Sequence, residues 1–565
     1  MLKLSKKSGL LAAFLIYCLS PAQAQENNSN EGSIHGYYQI DAQYYNPDSL
    51  IGAPVVNEKM LSNAFGNILY TKGKFSAGVR YEAYNNVMQG FDTRYKGQGI
   101  VNRFARYQDK LLDITVGNIY EQFGSGLLFR TYYEPGLLYD NSLDGVRVIS
   151  NPINGLTLKA MVGKQRSFFA LGPGIVRGFD GELNINELMD SAWADVRTKI
   201  IIGGSFVSKY QVDENPDLIL PQNVGSYGGR INIIRDAFNF YGEYVMKEND
   251  PGLANSSSLG GKSFFTYKKG DAIFLSSSYA TKGFSILLQA KRIDNMSYRS
   301  DRDATLQNLM INYLPSTTKQ HTYLFAAFSP YATQPNGEVG GMAEIQYKLK
   351  KGTALGGPYG TDITLNYSHF NALKQNHVND TLTHSTLYST KYDEFGVDLY
   401  HDFFVEINRK FSKKWKATVM YSRQFNNVNI VQHNTPNGEY KNIKSHIGII
   451  DVTHKYKSNS AIRFEGEIML RDNKDTLNMG SWAMGMIEWT PNTHMFLAVV
   501  DQYNYGNPVE KLKLHYFLVS AGYTSGPHRI SLSYGKQRQG IFCVGGVCRT
   551  VPASNGVAIS ITSSF

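Results

Sequence analysis

Long apolar runs are missing from this 565-residue chain once its first two dozen residues are set aside. Nothing after Ala24 approaches the ~18 consecutive apolar residues that a membrane-crossing helix needs, which excludes a helical membrane protein. Long basic runs are missing as well. The formal charge of +10 falls to +7 when Lys3, Lys6 and Lys7 leave with the leader, and no basic cluster marks a nucleic-acid footprint. Cysteine is scarce, with three in the chain and only Cys543 and Cys548 beyond the leader.

What is present begins with that leader. "MLKLSKKSGLLAAFLIYCLSPAQAQ" has a basic start, an apolar run from about Gly9 to Leu19, and the small-x-small triplet Ala22-Gln23-Ala24. This reads as a cleavable secretory signal cut after about Ala24. Cys18 is flanked by Tyr17 and Leu19 rather than by the small residue that precedes a lipoprotein cysteine, so it is expected to leave with the signal. Glycine (53), Tyr (38) and Phe (30) are abundant, which suits strands and tight turns better than helices.

Periodicity carries the next step. In "LTLKAMVGKQR", Leu156, Leu158, Ala160 and Val162 alternate with Thr157, Lys159, Met161 and Gly163. In "IRFEGEIMLR", Ile462, Phe464, Gly466, Ile468 and Leu470 alternate with Arg463, Glu465, Glu467, Met469 and Arg471. The closing "NGVAISITSSF" sets Val557, Ile559, Ile561 and Phe565 against small and polar residues. A period of two means strands with one apolar and one polar face. Alternation alone fits a soluble sandwich as well as a membrane barrel.

Chain layout separates the two. Short connections at 71–74, 108–110, 151–155, 235–238, 281–283, 315–320, 350–360, 412–414, 457–460, 490–493 and 524–527, with a helical-looking one at 188–197, alternate with long ones such as 84–99, 371–394 and 426–440. Short turns on one side and long loops on the other are the rule of outer-membrane barrels. Twelve short turns predict an all-β chain folded as one large antiparallel transmembrane β-barrel of about 26 strands, with any even number from 22 to 26 acceptable. The expected organisation is a signal peptide at 1–24, a short segment at 25–32 and the barrel at 33–565, with neither an amino-terminal plug nor a peptidoglycan-binding tail. Phe565, ending the last strand, looks like the signal that the barrel-assembly machinery reads.

Two stretches carry a more specific likeness. "FGSGLLFRTYYEPGLLYDNSLDGVRV" (123–148) and "YGKQRQGIFCVGGVCRTVP" (534–552) resemble an uncharacterised outer-membrane β-barrel family of the Bacteroidota, a domain of unknown function. The resemblance covers most of the mature chain. It implies location and architecture, and brings no catalytic residues.

Candidate sites are few. Cys543 and Cys548 in "CVGGVC" read as a disulfide that staples the last outer loop, since the envelope is oxidising and no His accompanies them. Gly124 and Gly126 suit a loop tucked into the lumen, where Arg130 is a constriction candidate; a glycine-bent strand with an interfacial Arg fits equally. Lys159, Arg463, Glu465, Glu467 and Arg471 share the lumen parity and are candidate pore-lining residues, or paired structural ones. His401 beside Asp402, and Asp451 with His454, sit on opposite strand faces and form no dyad. His377 and His384 with Asp380 could bind a metal, and "RDNKD" at 471–475 a calcium ion, but ordinary solvated loop residues are the commoner reading of both. No enzyme activity, catalytic residue, metal or cofactor is expected.

The leading expectation is a channel or passive uptake porin for small hydrophilic solutes, placed in the Gram-negative outer membrane among lipid. The alternative is a structural barrel subunit of an envelope secretion or assembly complex, docking partners through Tyr- and Asn-rich outer loops.

Overall fold

The computed structural model describes residues 32–189, 196–215, 218–253, 256–259, 262–378, 385–431, 442–472, 479–544 and 547–565. The signal peptide, Asp380, His384 and most of "RDNKD" lie outside them. Twenty-four strands form one antiparallel sheet, each paired with its successor in the barrel. The sheet closes on itself, because the first strand, Ser33–Tyr45, pairs with the last, Ser554–Ser564, from Tyr37 opposite Ser564 to Tyr45 opposite Gly556. Phe565 completes the seam by exchanging two 2.9 Å backbone hydrogen bonds with Gly36. Its ring lies where a Cβ on Gly36 would stand, at 2.4 Å.

Eleven short connections join the strands on one side, and they coincide with eleven of the twelve turns read from the sequence. The twelfth, 315–320, is a correction. It lies inside a 42-residue segment (295–336) joining Phe284–Asp294 to Gly337–Leu349, two strands that pair directly. The barrel therefore has 24 strands, within the expected 22 to 26 and two fewer than the turn count gave. Length does not always tell the two sides apart, since residues 168–169 alone make the long-loop-side connection between Leu156–Ser167 and Ala170–Asn184.

The alternation sorts as the closed wall requires. Ala160, Val162, Phe464, Ile468 and Leu470 are exposed on the outside, while Met161, Gln165, Glu465, Glu467 and Met469 are buried on the inside. Aromatic contacts gird the short-turn end: Phe75 with Tyr107, Tyr279 with Phe284, Trp415 with His454, and a 2.8 Å bond from Trp489 Nε1 to Tyr456 Oη. An apolar outer wall ending in amphipathic rings is what lipid selects, so this is a membrane-spanning β-barrel.

Candidate functional site: the crossed lumen and its outer vestibule

A 24-strand cylinder is wide enough to hold a lumen, and most of what decides its chemistry is inside. Two long connections turn inward. The first, residues 120–142, packs Phe123, Leu127, Leu128 and Phe129 against inner-wall Met161, Val176, Val207 and Val245. The second, residues 295–336, adds Met296, Tyr298, Ile311 and Leu314 to that cluster. Further along it places Phe325, Ala326 and Phe328 against Phe404, Met420, Ile447, Met469 and Trp482 on another part of the wall. One segment thus spans the lumen between two parts of the barrel.

Irregular backbone at membrane depth needs partners for its amides and carbonyls. The inner wall supplies them. Gln165 donates to the Met310 carbonyl at 2.7 Å and Gln424 to that of Ala326 at 2.8 Å, while Asn141 of the first inward segment adds a 3.0 Å bond to Met310. Glu467 accepts the backbone N–H groups of Leu324 (2.9 Å) and Phe325 (2.7 Å). Lys291 and Glu338, both fully buried, pair at 2.5 Å; Glu338 also accepts from Tyr331 Oη (2.5 Å) and the Gln334 amide (2.7 Å). These groups are anchors.

The other interior charges have similar duties. Lys159 Nζ lies 2.8 Å from Glu121, which Arg147 also reaches at 3.0 Å. Arg130 sits between the rings of Tyr132 (4.5 Å) and Tyr313 (4.1 Å), joining the two inward segments, and its amide donates to the Ile311 carbonyl at 2.9 Å. Gly124 and Gly126 have φ of +52° and +98° in the first segment. A Cβ at Gly124 would stand 2.5 Å from Glu243 Oε1, so glycine fits both the conformation and the space. Arg463 binds Asp451 at 3.0 Å and pairs with Glu465. Arg471 contacts Ser329 Oγ (3.3 Å) and the Phe328 ring (4.8 Å). The sequence set Lys159, Glu467 and Arg471 on the inner parity; their partners in the inward segments were not legible, because an irregular loop carries no register.

Two histidine arrangements were also missed. Asp402 faces inward, 2.5 Å from His321 Nε2 and 3.0 Å from Ser422 Oγ. The carboxylate stands between the other two, so His321 does not receive the serine proton and the trio is no nucleophilic triad. His401 faces outward beside His369. Opposite parity across "YHDFF" separates His401 from Asp402; cross-strand neighbours decide what each meets.

At the long-loop end the inward segments and outer connections enclose a cavity of about 990 Å³. Its charged lining is Asp92, Arg299 and Arg549, with Phe91, Tyr95 and Tyr139 as aromatic walls. Arg299 is buried and donates to the carbonyls of Asn308 (2.7 Å) and Leu306. Arg549 donates to the Gly136 carbonyl at 3.1 Å and lies 3.9 Å from the Phe91 ring. Among the described residues both guanidinium groups hydrogen-bond only neutral acceptors, and burial, offset in part for Arg299 by Asp250, pulls both pKa values down to about 10. Both remain charged at neutral pH, and that charge is poorly compensated.

The disulfide borders this vestibule. Cys543 and Cys548 are bonded, and Cys548 lines the cavity. The Cys543 carbonyl accepts from Gln320 Nε2 at 3.0 Å, which ties the hairpin to the second inward segment. A bridge closing so short a loop stabilises by at most about 2 kcal/mol. Reduction is therefore expected to leave the heat-modifiable mobility of the barrel unchanged while speeding protease cleavage within 538–553. Unfolding of the whole barrel on reduction would contradict that local role.

The model of the family of unknown function DUF6029 matches residues 5–565. The chain belongs to that family. No curated protein matches it. Among solved structures, the siderophore receptor PirA from Pseudomonas aeruginosa is 9% identical, with 94% of this chain and 80% of that chain covered and a TM-score of 0.41. The translocation pore of the P pilus usher PapC is 9% identical, with 94% and 99% covered and a TM-score of 0.36. The outer membrane protein opdK from Pseudomonas aeruginosa is 9% identical, with 83% and 98% covered and a TM-score of 0.32. Likenesses this slight support no argument about function, and the family itself is one of unknown function.

Proposed function

We propose that this protein is an outer-membrane channel for passive uptake of small hydrophilic solutes, narrowed by its own inward segments and entered through the outer vestibule. The observation that carries the reading is the cavity of about 990 Å³ where the second inward segment meets the outer loops, a volume in the range of small-molecule sites. Arg299 and Arg549 favour anionic solutes there, because their charge meets carbonyl dipoles rather than carboxylates. Signal cleavage after about Ala24, a source among the Bacteroidota, recognition of Phe565 by the assembly machinery and the lack of enzymatic activity belong to the same reading.

Swelling of liposomes carrying the purified protein tests it. Small anionic solutes are expected to enter faster than neutral ones of equal size. The double substitution Arg299→Gln with Arg549→Gln is expected to abolish that preference while neutral solutes still pass. Swelling indifferent to charge in the unaltered protein would contradict the vestibule's role.

A second reading, a barrel subunit of an envelope secretion or assembly complex, draws on Leu50, Val55 and Ile219, which are exposed on the outer connections. A stoichiometric partner retained after gentle extraction, together with liposomes that do not swell, would favour it over the channel.

A further inference from the structure

The outer wall carries a cluster that the channel reading leaves unused. His369, on strand Thr361–Leu373, stands directly opposite His401 on strand Phe395–Lys410, and their ring centroids are 3.9 Å apart. The register shifts between Phe370 and Asn371, and Asp398 joins the two histidines. Asp398 Oδ1 lies 3.4 Å from His369 Nε2 and 3.6 Å from His401 Nε2. The candidate ligand atoms of the three residues all lie within 4.8 Å of one another.

A tetrahedral ion with ligands at 2.0–2.1 Å needs donor atoms about 3.4 Å apart. Both measured separations suit it. A second observation is independent of the spacing: His401 Nε2 is shielded from solvent and makes no hydrogen bond. A shielded ring nitrogen that faces a carboxylate 3.6 Å away, beyond hydrogen-bond distance, is suited to share a cation with it. The surroundings would orient the ligands. Asn371 Nδ2 donates to Asp398 Oδ1 at 2.7 Å, Tyr367 Oη lies 3.5 Å from His369 Nδ1, and Phe425 packs against the His401 ring at 5.2 Å.

Position along the strand sets access. His401 is nine residues from Lys410 at the short-turn end, roughly 30 Å along the strand. A tilt of 35–45° converts this to about 23 Å of height, the upper edge of the apolar band. Exposed Arg423, His446 and Lys444 on the neighbouring strands share the outward face and mark the level of the headgroups. Ions in the external medium can reach the site, and three protein ligands leave a fourth position for water or a headgroup oxygen.

We propose that His369, Asp398 and His401 form a surface site for a divalent transition-metal ion of the zinc class, which clips two neighbouring strands where their ladder shifts register. Imidazole and carboxylate together select such ions over magnesium and calcium.

The test is calorimetric titration of the full-length, tag-free protein in detergent with Zn²⁺. One saturable site is expected. His369→Ala and His401→Gln should each weaken it at least ~10-fold, the smaller end of what even outer-shell losses cost, with heat-modifiable mobility confirming that each variant is folded. Cu²⁺ bound to the unaltered protein should show two imidazole nitrogens by electron paramagnetic resonance. Absence of Zn²⁺ binding, affinities unchanged in both variants, or a Cu²⁺ spectrum without nitrogen coupling would overturn the proposal.

Discussion

Replacing residues 295–336 with a short glycine-containing linker is expected to raise single-channel conductance by about an order of magnitude, because a barrel of this size is wide once the segment that spans it is gone and only residues 120–142 remain against the wall. The register makes the experiment feasible. Asp294 and Gly337 are already partners across adjacent strands, so a hairpin turn of two to four residues closes the gap without moving either. The deletion removes Phe325 and Phe328 from one cluster and Met296, Tyr298 and Ile311 from the other. Every pair of neighbouring barrel strands stays intact. Folding should therefore survive, as read by heat-modifiable mobility. Unchanged conductance in the folded deletion protein would mean that the segment does not limit the passage.

The second large effect concerns the buried pair that holds the same segment. Glu338→Ala leaves the Lys291 ammonium without its carboxylate and strips Tyr331 and the Gln334 amide of their acceptor. Breaking a fully buried ion pair from one side costs about 3–5 kcal/mol, since the remaining charge stays desolvated. The barrel wall keeps its ladder, so the loss should fall on the segment: faster protease cleavage within 315–335 and noisy, flickering conductance. The paired replacement Lys291→Met with Glu338→Leu removes both charges and is expected to recover much of the lost order. If Glu338→Ala shows native cleavage and steady conductance, the pair is not an anchor.

Much of this architecture was legible because a membrane barrel writes itself in period two. "LTLKAMVGKQR" and "IRFEGEIMLR" declare their faces residue by residue, and the lipid requires the outer face to be apolar throughout. Tight turns such as "TKGK" and "KSNS" are equally plain. The misreading at "PSTTKQ" has a physical cause: Pro, Ser and Thr break regular structure wherever it ends, and nothing local distinguishes a turn between strands from a bend inside an irregular segment. The signal lay in its surroundings. "HTYLFAAFSPYA" (321–332) is aromatic and apolar without alternation, which suits a segment buried on all sides.

The site was less legible than the wall. Parity put Lys159, Glu467 and Arg471 inside, yet their partners lie up to 142 or 143 residues away on loops with no register. The vestibule arises from several outer connections at once, and the outward histidine cluster depends on a register shift that alternation conceals. Such sites depend on contacts between elements, which no single strand's pattern encodes.

The central claim is a water-filled passage narrowed by inward segments and entered through a cationic vestibule. Planar-bilayer recording of the unaltered protein under a salt gradient tests it most directly. Small, stable ohmic steps with a reversal potential on the anion side are expected. Large steps typical of an unobstructed barrel, a cation-side reversal potential, or silence from correctly folded protein would contradict it.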